Sequence, residues 1–439
     1  MGSLKMLRSI LSVFTICVAW FVGATAANAC PLCLAPSRTW AETIAEADVV
    51  VWAELVSADE GSDLRRPDAW FRIVKVHRGS GAWTSTPGSI VRIREAVFGD
   101  PGDTFLLHAM HHSDSTPTLN ETFATADAGP TIRQVSASAT TPTDVADAAR
   151  DSSSTTTVTF DWNLPEPACE IVWQYIVNAP APEAGASAAN ASQRLKYFLS
   201  WLENEKETVA ADAWGEFAKA EYEVIKAIRD DFQTEQLRRW IANADTSPER
   251  LNLYGLMLGM SGSEEDALFL RQQIGPVQAD TIRFGAEGLM AGLLMLSGEQ
   301  GLDFLLQTRL QSENVPVFEV MAVVQSLQFA WTHEPDLIAK ERLRAALHPL
   351  LHHEEMREIV IIDLARWEDW KVVHQLPELY DTVREDDPRS VGAIAGFLLT
   401  LQAPTSSATK DQRAVAATLL TQIRTDAPAV LKRVERQFR

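Results

Sequence analysis

The chain is short of positive charge, short of cysteine, and without the signatures of nucleotide and acyl-transfer chemistry. Its 39 Lys and Arg stand against 59 Asp and Glu, a formal net charge of −20. An acid of this strength repels phosphate backbones, and no Lys/Arg stripe offsets it, which excludes nucleic acid as a partner. Basic residues gather only at Lys432, Arg433, Arg436 and Arg439, where they suit the C-terminal end of a last helix. There is no phosphate-binding glycine loop, no nucleotide fingerprint, no Gly-x-Ser-x-Gly elbow and no His-Glu-x-x-His. The sequence therefore assigns no catalytic residue and no cofactor, and reads as a non-enzyme. With 439 residues and 46% apolar content there is material for two cores.

What is present begins with Ala27-Asn28-Ala29-Cys30-Pro31-Leu32-Cys33. Lys5 and Arg8 precede an apolar run from Ile10 to Val22, and Ala27 and Ala29 supply the small side chains that signal peptidase needs. The run is short of the about 20 residues of a membrane span. Residues 1–29 read as a signal peptide, cleaved between Ala29 and Cys30, and the product as secreted or periplasmic with no span of its own. The alternative is a membrane-anchored lipoprotein with the lipid on Cys30. Such a site normally wants Leu three residues before the cysteine, where this chain has Ala27.

Cys17 leaves with the leader, so the disulfide candidates are Cys30, Cys33 and Cys169. In an oxidising compartment three cysteines give one bond and one leftover thiol. Cys30 or Cys33 joined to Cys169 would close a loop of over a hundred residues, stabilising by up to about 5 kcal/mol before strain. A thiol-redox pair Cys30/Cys33 would need a helix N-terminus following a strand, and the leader stands there instead. A structural zinc site would need two further ligands at comparable spacing.

From Ser37 to Ala47 the pattern suggests a short helical turn, and Asp48–Val56 is apolar and β-branched like a strand. Further strands are expected over Trp70–Val76, Ser89–Arg94 and Thr104–Ala109, separated by Gly/Pro turns. Short strands at this spacing suggest a small barrel or sandwich. In this order, a cysteine at the mature N-terminus, a short helix, the Ala47-Asp48-Val49-Val50 strand and the Lys75-Val76 strand ending in a Gly turn resemble the tissue inhibitors of metalloproteinases and netrin-like modules. The resemblance covers roughly residues 30–110. It implies an OB-type Greek-key barrel over 30–112. It also implies inhibition in which the Cys30 amine and carbonyl chelate a protease zinc, with Pro31 and Leu32 in the ridge that enters the cleft. The family opens on Cys-x-Cys, whereas this chain has Cys30-x-x-Cys33 and lacks most of the other cysteines.

His108, His111, His112 and Asp114 form the one histidine cluster of this half. His108 and His112 would lie about 13 Å apart on an extended strand, so the cluster reads as a polar strand end rather than a metal site. Residues 113–157 turn to Ser, Thr, Ala, Asp and Pro, with too little apolar surface to offset ordering, as in a mobile insertion. Residues 156–162 could return as one more strand.

Beyond Cys169 the apolar positions recur at helical spacing to the end of the chain. Met260-Ser261-Gly262 precedes an acidic helix start at Glu264, and 36 residues on Leu296-Ser297-Gly298 precedes another at Glu299. The unit suits a helical solenoid, and residues 169–439 resemble HEAT-type repeats in pattern. The i,i+4 pair His348/His352 and the turn His352-His353-Glu354-Glu355 read as polar helix ends. Trp367-Glu368-Asp369-Trp370 offers either a partner hot spot or a helix end with its rings packed inside. The expected architecture is a multidomain α and β chain: a small OB-like β-barrel followed by an all-α HEAT-like solenoid. A protein-binding or scaffold role with a protein partner follows, against two rivals, the inhibitor and the redox protein.

Overall fold

Strand β1 (Val49–Ala58) is buried along most of its length on both faces, which is why its sequence is a continuous apolar run rather than an alternation. In the computed structural model it is the centre of an antiparallel sheet ordered β3-β2-β1-β4-β5, formed with β2 (Ala69–Arg78), β3 (Ile90–Ile93), β4 (Thr104–His111) and β5 (Phe160–Trp162). A two-residue β6 (Glu166–Pro167) also pairs with β4. The register between β1 and β2 slips at three places, and such bulges bend a strand and increase its twist. The sheet curls into a half-barrel around Val51, Leu55, Phe71, Phe105, Phe160 and Trp162. The residues described are 30–58, 68–111, 160–182, 187–275 and 284–438, apart from 34, 35, 37, 80–82, 84, 94–96 and 313. Among them, β3 and β5 are open edges rather than a closed seam. The strand expected at 156–162 is present as β5, while the leader, Ala29, His112, Asp114 and the tract 113–157 fall outside the described residues.

The chain divides into two compact units, Ala35–Lys219 and Met1–Leu34 with Ala220–Arg439. The helical region expected from residue 169 is thus shared, and its first three helices belong with the sheet. Their reason is visible on β1: Trp52, on the face away from the half-barrel core, stacks on Trp173 of α2 (Glu170–Asn178) at 6.0 Å. The other two are α3 (Ala188–Leu199) and α4 (Glu207–Lys219). The unit also holds α1 (Trp40–Glu46), started by a capping box between Thr39 and Glu42. At its other end Arg78 of β2 donates to the carbonyls of Ile44, Ala45 and Ala47, placing a cation on the negative end of the helix.

From Ala220 on, the regular structure of the second unit is helical: α5 (Tyr222–Lys226), α6 (Thr234–Ala242), α7 (Pro248–Ser261), α8 (Glu264–Ile274), α9 (Ala286–Ser297), α10 (Glu299–Leu305), α11 (Val317–His333), α12 (Lys340–Leu347), α13 (Arg357–Arg366), α14 (Leu376–Val383), α15 (Pro388–Gln402), α16 (Lys410–Asp426) and α17 (Pro428–Gln437). The Ser-Gly pairs close α7 and α9, with Gly262 and Gly298 as their C-caps. Proline at the first turn marks the starts of α7, α15 and α17. Polar links join helices whose partners lie 36 and 35 residues apart. Asn252 of α7 accepts from the Gly288 backbone and donates to Glu287 of α9, and Gln328 of α11 donates to Asp363 of α13. Arg309, fully buried in a π-helical segment after α10, pairs with Glu319 and also donates to the carbonyls of Ile274 and Gly275. No helix among the described residues is long and apolar enough to cross a membrane.

Candidate functional site

The cysteines come together differently from the long-loop pairing. Cys30 is bonded to Cys33, with 5.3 Å between their Cα atoms, and Cys169 is a half-buried free thiol. The physical reason is a local turn: the Cys33 N–H donates to the Cys30 carbonyl at 3.1 Å, which brings the two Cα atoms within disulfide reach. A four-residue loop stabilises by about 2 kcal/mol in the chain-entropy model, against about 5 for the long loop. Asn252 donates to the Leu32 carbonyl at 3.4 Å, so this turn rests on the helical unit. Cys30 itself is 3% exposed, while Pro31 and Leu32 are half-buried.

Of the histidine cluster, His108 is buried on β4, with the Asn163 amide within hydrogen-bonding distance of its ring and Glu166 3.7 Å away. His111, nearer the strand end, packs edge-on to Phe160. No group of three His, Cys, Asp or Glu among the described residues is placed to hold a metal.

A polar network that sequence reading misses runs inward from His108. Glu166 accepts from the Trp40 indole at 2.7 Å, and the Trp40 backbone N–H donates to Asp212 of α4 at 2.8 Å. The other Asp212 oxygen accepts from the Tyr175 hydroxyl of α2 at 2.7 Å. Burial pushes the Asp212 carboxyl up to about 6, with the charges of Glu216 and Glu166 adding to it against these two donors. Burial, with the charge and hydrogen bond of Asp212 and the charge of Glu216, raises the Tyr175 hydroxyl far above its ordinary value. Burial also opposes the Glu166 carboxylate, but His108 and Trp40 outweigh it and hold its pKa below normal. The partners lie 172, 126 and 37 residues apart, so no local motif announces them. The available signal is Asp212 and Glu216, two acids at i,i+4 on the helix face that buries Val209, Ala213 and Phe217.

In the helical unit the Trp367-Glu368-Asp369-Trp370 turn ends α13. The Asp369 N–H reaches back to Leu364 O and the Glu368 N–H to Ala365 O, the pattern of a helix C-cap whose C′ residue is left-handed. That residue is Glu368, at φ 53°. Both tryptophans are packed inside, as the second of the two sequence readings has it. Trp367 nevertheless stacks face to face, at 4.4 Å, on the half-buried Trp331 of α11. Lys340 and Arg344 lie over the Trp331 ring at 4.9 and 5.3 Å, and Arg344 also donates to the Trp367 carbonyl. His348 bonds the buried Asp369 at 2.6 Å, rather than sharing a ligand with His352. Burial works against the Asp369 carboxylate, but the His348 bond and the charges of His348 and Arg344 hold it below the usual range.

No family model matches this chain, and no curated protein and no solved structure matches it either.

Proposed function

We propose that this is an extracytoplasmic binding protein without catalysis of its own, in which a netrin-like β unit accompanies a HEAT-like array of helix pairs whose outer surface takes a protein partner. Stacked helix pairs build extended binding surfaces, and the links between helices a repeat apart favour a rigid one. The observation that carries the reading is Trp331: a half-buried indole backed by Trp367 and overlaid by Lys340 and Arg344. Aromatic residues and arginine are the side chains that dominate binding energy at interfaces. Two facts weigh against the rival readings. Cys30 is buried, whereas an inhibitory ridge needs it presented. Helix α1 starts only at Trp40, so no helix N-terminus activates either sulfur.

The test is a photo-crosslinking residue in place of Lys340, in cells of the native host, with one at the exposed Leu268 of α8 as control. A single discrete adduct from the Lys340 site, reduced at least tenfold by Trp331→Ala, is expected; truncating a hot-spot residue costs about 2 kcal/mol or more. Crosslinks confined to the chain's own residues would remove Trp331 as an interface.

A further inference from the structure

We propose that Asp212 is a proton-operated clasp on α1: with the proton on, the contact between α1 and α4 stays shut, and with the proton off it opens more readily. The geometry is that of a half-buried carboxyl whose two ligands are both neutral, the Trp40 backbone N–H and the Tyr175 hydroxyl. Charged groups face it from each side. From α4 comes Glu216, one turn along, and from β6 comes Glu166; both are carboxylates that disfavour a second negative charge. α1 itself carries Glu42. The nearby cations are committed elsewhere: Arg194 of α3 to Glu216 at 2.6 Å, and Lys219 at the end of α4 to Glu42. His108 of β4 faces Glu166 rather than Asp212. Tyr197 of α3 donates its hydroxyl to the Tyr175 carbonyl and so fixes the ring that serves Asp212.

Opening α1 would hydrate Asp212 and return it to the ordinary carboxylate range of about 3.9. The shut form, with the carboxyl raised to about 6, keeps its proton to higher pH. Linkage then sets the direction. Below pH 4 both forms are protonated and the clasp is at its tightest. As pH rises through about 6 the opening constant grows, by about a hundredfold for a displacement of two pH units. The device is local, because α1 has only seven residues and does not hold a helical form by itself.

The experiment is hydrogen exchange of the α1 amides in the full chain, read on peptides covering residues 38–47 between pH 4.5 and 7.5 and corrected for intrinsic exchange. Protection should fall by about 25-fold across that range in the wild type, and Asp212→Asn should flatten the profile. A wild-type profile that is flat or rises with pH overturns the proposal. So does a fall that survives Asp212→Asn, which would assign it to a histidine instead. Should Asp212→Asn fail to fold, Tyr175→Phe decides: removing a donor that favours the anion moves the midpoint to higher pH, and an unmoved midpoint overturns the proposal.

Discussion

Gly255 of α7 and Gly288 of α9 meet backbone to backbone: a Cβ on Gly255 would stand 2.4 Å from the Gly288 carbonyl carbon. Nothing flexible lies there to give way, so the two helices must separate to admit even a methyl group. Gly255→Ala is expected to cost about 2–3 kcal/mol, seen as a lower urea midpoint with an unchanged slope. A loss below about 0.5 kcal/mol would mean that the helices can part without penalty.

Arg309 and Glu319 form an ion pair with both side chains almost wholly removed from solvent. Breaking such a pair from one side leaves a buried charge unmatched, so Arg309→Met should destabilise the helical unit by about 3–5 kcal/mol. Adding Glu319→Leu should recover part of that loss, because it removes the stranded carboxylate. Chemical denaturation of both variants checks the ordering; a double variant no better than the single one would show that Arg309 acts mainly through the Ile274 and Gly275 carbonyls.

Glu368 occupies a left-handed position that glycine adopts freely, and its carboxylate accepts from Ser407 at 2.9 Å. These effects oppose each other in Glu368→Gly, which relieves about 1 kcal/mol of backbone strain while losing a hydrogen bond worth about as much. The single change should therefore be nearly neutral. In a Ser407→Ala background the same change should stabilise by about 1 kcal/mol, a difference read from thermal midpoints.

Asp363 is buried on α13, and burial raises its carboxyl to about 6 despite the Gln328 hydrogen bond and the charge of Arg366. A carboxyl with a folded pKa above its unfolded value binds the proton more tightly when folded. Its contribution is therefore fully present in acid, below about pH 4, and is lost as pH rises through about 6. Asp363→Asn should stabilise the protein at pH 7 by on the order of 2 kcal/mol, with the advantage vanishing below pH 4. Stability curves of the two proteins that stay parallel from pH 4 to 7 would contradict it.

The elements were legible where burial leaves a one-dimensional trace. β1 could be read because both of its faces are covered, and the ends of α7 and α9 because Ser261-Gly262 and Ser297-Gly298 lie in sequence. The disulfide was not, since a turn of four residues outcompetes a distant thiol and sequence spacing alone does not reveal that turn. Nor was the Asp212 network, whose members come from α1, α2, α4 and β6 and meet only once the sheet and helices have packed. The place where the first unit ends was hidden for a related reason: α2 to α4 have ordinary helical periodicity, and what claims them for the sheet is Trp173 on Trp52.

The Arg78 clamp bears on the order in which the protein acquires its form. Helix α1 is synthesised ahead of every strand, yet its C-terminal carbonyls wait for an arginine more than thirty residues later. Its N-terminal amide waits for Asp212, 172 residues later. A seven-residue helix has little persistence of its own, and contacts over such separations form slowly. A helix made before any strand is thus among the last to settle, and until it does the newly made chain carries a loose α1 that α4 must arrive to hold.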